Sequence, residues 1–115
     1  MAHIAVAAAK TFDFKGLRIT DLTAEQNFSA SVAHVEVRAG IGHPVARSTK
    51  SDKFYICVEG EVLFDIDGNP SLAKSGDLVV VPQNTWFSYQ NKGQATVLLI
   101  LVHVPPFDME HEEFL

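Results

Sequence analysis

A single cysteine, Cys57, rules out an internal disulfide and makes a reducing, cytoplasmic setting the expectation. The longest apolar run is only Val97 to Val102. That is far short of the roughly 20 residues a membrane-crossing helix needs, so no membrane role is expected. Basic residues are also scarce, with 9 Lys and Arg against 14 Asp and Glu and a formal net charge of -5. Such a balance argues against a nucleic-acid partner, although Arg47, Lys50 and Lys53 could form a local anion-binding patch. Ile4 to Ala9 is apolar but short, has no basic flank and meets Lys10, so it is not expected to be an export signal. There is no Gly-rich phosphate loop, no recognisable Ser-His-Asp signature, and no ten-residue stretch with a helical period.

What is present is alternation. Gly16 to Leu22 and Ser29 to Arg38 interleave apolar and polar residues, the pattern of half-buried strands. Phe54 to Val58, Glu61 to Ile66, Ser71 to Lys74, Leu78 to Val81, Thr85 to Gln90 and Ala95 to Val104 read as further strands. They are separated by Glu59-Gly60, Asp67-Gly68-Asn69-Pro70, Ser75-Gly76-Asp77 and Asn91-Lys92-Gly93 turns. Pro44 cannot donate to a ladder, which predicts a strand starting after it. Many short strands at regular spacing predict an all-β sandwich or barrel. The 115 residues suit one domain, with a core over about 29-105, an N-terminal strand leader (Met1 to Phe14) and an acidic C-terminal tail.

Two stretches carry a more specific signal. Gly40 and Gly60 bracket five residues, a three-residue core, four residues, Lys53 and six residues. Gly76, Pro82 and Asn91 frame a second stretch. This framework resembles the two motifs of the small cupins, and the resemblance implies a jelly-roll β-barrel. The family's metal ligands are normally three histidines and a glutamate. Their positions fall here on Ala46, Ser48, Phe87 and Lys53. Alanine and phenylalanine cannot ligate, a neutral serine is a poor ligand, and an ammonium repels a cation. The usual metal site is therefore expected to be absent, with no cofactor implied.

Alternation puts Lys53, Tyr55 and Cys57 on one face, and Phe87, Tyr89 and Asn91 on another. With the family's inward positions as a guide, the ligand pocket is expected to hold Ala46, Ser48, Lys53, Tyr55, Phe87 and Tyr89. Lys53 is open to three readings. It could hold an anion, act as a base or imine-forming nucleophile after burial, or snorkel toward Asp52 or Glu36. The leading expectation is a metal-free binder of a small anionic or carbohydrate-like metabolite. The alternative is an enzyme, either an isomerase or lyase using Lys53 and Tyr55, or a metalloenzyme with relocated ligands His34, Glu36 and His103. Cys57 reads as a core hydrophobe. Phe54, Ile56 and Val58 face outward and need a cover, and the resemblance implies a homodimer. Phe107 and Phe114 are candidate anchors for the tail.

Overall fold

Period-two burial sets the architecture. In the computed structural model, which describes residues Met1 to Leu115, each strand turns one set of side chains into a shared core. The strands in chain order are β1 (Lys10–Phe14), β2 (Leu17–Asp21), β3 (Ser31–Val37), β4 (Gly42–Ser48), β5 (Asp52–Glu59) and β6 (Glu61–Ile66). They continue as β7 (Asn69–Lys74), β8 (Leu78–Val81), β9 (Phe87–Gln90), β10 (Val97–Val104) and β11 (Glu112–Phe114). Only short 3-10 turns, Val6–Ala8 and Met109–His111, interrupt the β structure. No helix is long and apolar enough to cross a membrane.

Two antiparallel sheets result, in the orders β1-β2-β3-β10-β5-β8 and β11-β4-β9-β6-β7. They make the all-β jelly roll that the sequence predicts. Val35, Val37, Tyr55, Cys57 and Leu99 of the first sheet pack on Ala46, Val62, Phe64, Phe87 and Tyr89 of the second. The leader pairs as an edge strand, with β1 lying antiparallel to β2. The tail also belongs to the fold, because β11 extends the second sheet along β4. The ordered core therefore runs beyond residue 105.

The motif residues hold the frame. Gly40, Gly60 and Gly76 adopt positive φ, and Asn84, standing where the motif has glycine, does the same at φ 66°. Asn91 is buried, and its side-chain amide donates to the Val37 and Ala95 carbonyls at 2.8 Å each while its oxygen accepts from Gly93 N–H. Ser48 Oγ accepts from the backbone N–H groups of Lys50 and Ser51, fixing the β4–β5 turn. One expected boundary is corrected: β4 starts before Pro44 rather than after it. The strand accommodates Pro44 because the β4–β9 register shifts between His43 and Ala46, where no ladder donor is needed.

That irregular start depends on a close backbone approach. A Cβ built on Gly42 would lie 2.2 Å from the Tyr89 carbonyl oxygen and 2.9 Å from Gln90 Cα. Both are backbone atoms that cannot rotate away. Gly42→Ala is expected to destabilise the protein by about 2–4 kcal/mol in urea denaturation, and a loss below about 0.5 kcal/mol would contradict this packing.

Candidate active site

The open end of the sandwich is roofed by the tail and walled by β1. Between them lies a cavity of about 190 Å³, lined mainly by apolar side chains that include Phe14, Leu101, Phe107 and Phe114. Its polar groups come from separate strands. Lys53 and Tyr55 point inward from β5, Tyr89 from β9, His103 from β10, His43 from β4 and Glu112 from β11. Register places Lys53 directly beside His103 across the β5–β10 pair.

Glu112 and His43 are polar cavity residues that sequence reasoning missed. The pairing of β11 with β4 sets Glu112 opposite inward-facing Ser48 and Glu113 opposite Arg47. Alternation then sends the two adjacent acids to opposite faces. Glu113 meets Arg47 at the surface (2.7 Å), whereas Glu112 reaches Lys53 Nζ at 2.5 Å inside. Both side chains of the inner pair are nearly dry, 3% and 4% exposed. Lys53 Nζ also sits 4.8 Å from the centroid of the Phe87 ring. The reading in which Lys53 snorkels toward Asp52 or Glu36 is thereby corrected. Burial lowers the pKa of its ammonium and the Glu112 carboxylate acts in the opposite direction.

Three buried polar atoms around this pair have no protein partner: Tyr55 Oη, His103 Nε2 and Glu112 Oε2. Native structures rarely leave such atoms unsatisfied, and those that remain mark places where a ligand or water completes the bonding. Burial pushes the Tyr55 phenol well above its ordinary range, with Tyr89 and Glu112 adding to the effect. The Tyr89 phenol is raised by burial too, so both stay protonated.

The two imidazoles are neutral. Burial lowers His103 to about 3, helped by Lys53, and lowers His43 to about 4. His43 Nδ1 lies 2.7 Å from the Pro44 carbonyl, which can only accept, so Nδ1 carries the proton. That leaves Nε2 with its lone pair. The ring is held by Phe87 and Tyr89 at centroid distances of 5.0 and 5.4 Å.

Of the six expected pocket residues, Lys53, Tyr55 and Tyr89 line the cavity. Ala46, Ser48 and Phe87 are buried but do not line it. The donor set does not fit the family's metal: an ion-paired ammonium, a phenyl ring, a methyl group and a turn-bonded hydroxyl stand at the ligand positions. The relocated set is not assembled either. His34 and Glu36 lie on the outer face of β3, opposite to the buried Val35 and Val37, and Glu36 pairs with Arg18 at 3.3 Å. His103 points the other way, into the cavity, and no three His, Cys, Asp or Glu side chains are placed to hold one metal ion.

The sequence model of the cupin domain matches residues 33–103. No curated protein matches the chain in sequence. Among solved structures, the Streptomyces nucleoside dehydratase Pac13 superimposes with a TM-score of 0.86 at 23% identity, over 100% of this chain and 91% of that chain. Variants of that protein with a histidine or either of two tyrosines replaced superimpose as well, each solved with uridine. KdgF from Halomonas sp. gives 0.83 at 15% identity, over 96% of this chain and 98% of that one. A predicted oxalate decarboxylase from Thermotoga maritima gives 0.76 at 14%, over 90% and 99%. At these identities the likeness speaks for the fold.

The buried imidazoles make stability pH-dependent. In the unfolded chain both take a proton near 6.5, whereas in the fold His43 resists to about 4 and His103 to about 3. Unfolding therefore takes up protons in acid, and the contribution is fully present above 6.5 and lost as pH falls through about 4 for His43 and about 3 for His103. Denaturation at pH 7, 6 and 5 is expected to show a loss approaching about 2–3 kcal/mol per pH unit at the acid end, roughly halved in His43→Gln. Stability that stays flat down to pH 5 would contradict the neutral, buried assignment.

Proposed function

This chain belongs to the cupin family, and we propose that it is a lyase that removes water from a small hydroxylated carbonyl compound by proton transfer. The observation that carries this reading is the meeting, in one apolar cavity, of a tautomer-locked neutral His43 with three unpartnered polar atoms. An apolar cavity with a few convergent polar groups is the usual form of a small-molecule site. The likeness to a nucleoside dehydratase supports the choice of dehydration. So do the histidine and tyrosines around this cavity, residue types also replaced in the uridine-bearing variants of that protein.

His43 Nε2 takes a proton from a carbon next to the carbonyl. The charge that develops on the carbonyl oxygen is received by the Tyr55 hydroxyl, a donor held in a dry site where it acts strongly. The C–O bond to the neighbouring hydroxyl breaks, and the imidazolium returns its proton to the leaving oxygen as water. With an ordinary pKa lowered to about 4, protonated His43 is a ready acid for that step. One proton is taken and one returned, so no co-reactant is consumed. An imine through Lys53 is disfavoured because that nitrogen is already engaged by Glu112. Binding without turnover is the second reading, favoured by the enclosed, mainly apolar lining alone.

The test is a panel of β-hydroxy aldehydes and ketones derived from sugars and nucleosides, followed by the absorbance of the conjugated carbonyl product. On any compound turned over, His43→Gln is expected to lower kcat by about 10²–10⁴-fold with little change in KM. Full activity in His43→Gln would remove it as the base. Compounds that bind without conversion would favour the binding reading.

The outer face of the first sheet supports a homodimer. Ile56, Val58, Leu78, Val80 and Val104 are exposed there side by side, with Glu36 and Arg18 paired at the margin. An apolar centre with a charged rim is the make-up of a protein interface, and an identical face on a second copy matches it. Sedimentation is expected to give twice the chain mass, falling to a monomer in Ile56→Asp. A monomeric wild type would remove this proposal.

A further inference from the structure

The one cation that faces the cavity is neutralised before any ligand arrives. Lys53 is paired with Glu112, and the other acid on the lining, Asp21, adds negative charge rather than positive. His43, His103, Tyr55 and Tyr89 contribute no net charge at neutral pH. An anion entering here would have to displace Glu112 from Lys53 and then lie beside the carboxylate it displaced.

The unpartnered atoms ask for something else. Glu112 Oε2 needs a donor, and Tyr55 Oη can both donate and accept. A ligand hydroxyl or amide satisfies both atoms. A carboxylate or phosphate offers only acceptors and leaves Glu112 Oε2 facing like charge. The cavity of about 190 Å³ is smaller than the roughly 300–1,000 Å³ of sites for drug-sized ligands, which suits a small compound.

Resting on the assignment of this cavity as the reaction site, we propose that it selects uncharged, hydroxyl-bearing ligands over anions because the C-terminal strand already supplies the counter-charge of Lys53. The tail is built to keep that charge in place. β11 pairs with β4, Leu115 N–H donates to the Val45 carbonyl, and Arg47–Glu113 and Lys50–Asp108 pairs hold it from outside. Of the anionic and carbohydrate-like ligands expected of this pocket, the Lys53–Glu112 pair favours the second.

The experiment has two arms. In the first, Glu112→Ala leaves the Lys53 ammonium beside a gap that fits a small carboxylate. Acetate at tens of millimolar, with sodium chloride matching the ionic strength, is expected to raise the Tm of the variant by ~3–6 °C and to move wild type by less than about one degree. In the second, uridine is compared with uridine 5'-monophosphate by calorimetry on wild type and on Glu112→Gln, which keeps the shape of the side chain. Wild type is expected to bind uridine at least ~10-fold more tightly than the monophosphate, and the variant to lose or reverse that preference. Acetate stabilising wild type as much as Glu112→Ala would overturn the proposal, as would a wild-type preference for the monophosphate. If neither uridine nor its monophosphate binds, or Glu112→Ala does not fold, the other arm decides. Failure of the lyase reading shows separately, as ligands that bind without turnover while the preference for neutral molecules stands.

Discussion

An ammonium and a carboxylate removed together from water tie the middle of this chain to its end. Lys53 on β5 and Glu112 on β11 belong to different sheets, so their pairing clamps the cavity mouth from both sides. Either charge alone would be intolerable there, since breaking such a pair by removing one partner costs ~3–5 kcal/mol. The pair also sets the local field. Its positive end lies next to His103 and helps keep that imidazole neutral, and it touches the face of Phe87. With β11 drawn in by Glu112, Phe107 and Phe114 become part of the cavity lining rather than a loose end.

The substitution of family ligands follows from the same constraint. A metal site gathers imidazoles and a carboxylate around a dication. Here the carboxylate position holds Lys53 instead, and the negative charge that balances it comes from a strand outside the motifs. Charge balance is kept while its sign is rearranged. Burial supplies the tuning: it holds two histidines neutral and two tyrosines protonated.

Much of this was legible in the residues, and the limits are physical. The glycine framework and period-two alternation placed Lys53, Tyr55 and Cys57 inward and Ile56 and Val58 outward, as the burial shows. Phe107 and Phe114 could be singled out as tail anchors because large apolar residues in an acidic end need a reason to be there. Glu112 could not be singled out. It is one of four acids after Pro105, and only its register with β4, which sets it opposite Ser48, makes it differ from Glu113. His43 was hidden by the break at Pro44, which reads as a turn although a bulge carries the strand through it. His103 was noticed for the wrong partners: alternation within β3 and β10 does not reveal that His34 and His103 end on opposite faces of one sheet. A useful signal was available in the tail, where Phe114 lies two residues beyond Glu112 and shares its face.

A double-mutant cycle on the central pair tests the account most directly. Lys53→Met, Glu112→Leu and the double variant would be compared with wild type by chemical denaturation. Each single change is expected to cost ~3–5 kcal/mol, because it strands a buried charge, and the double variant to recover about 2–3 kcal/mol or more of the summed loss. Costs that add to within about 0.5 kcal/mol would mean the two groups do not meet in the folded protein, and the cavity described here would lose its organising contact.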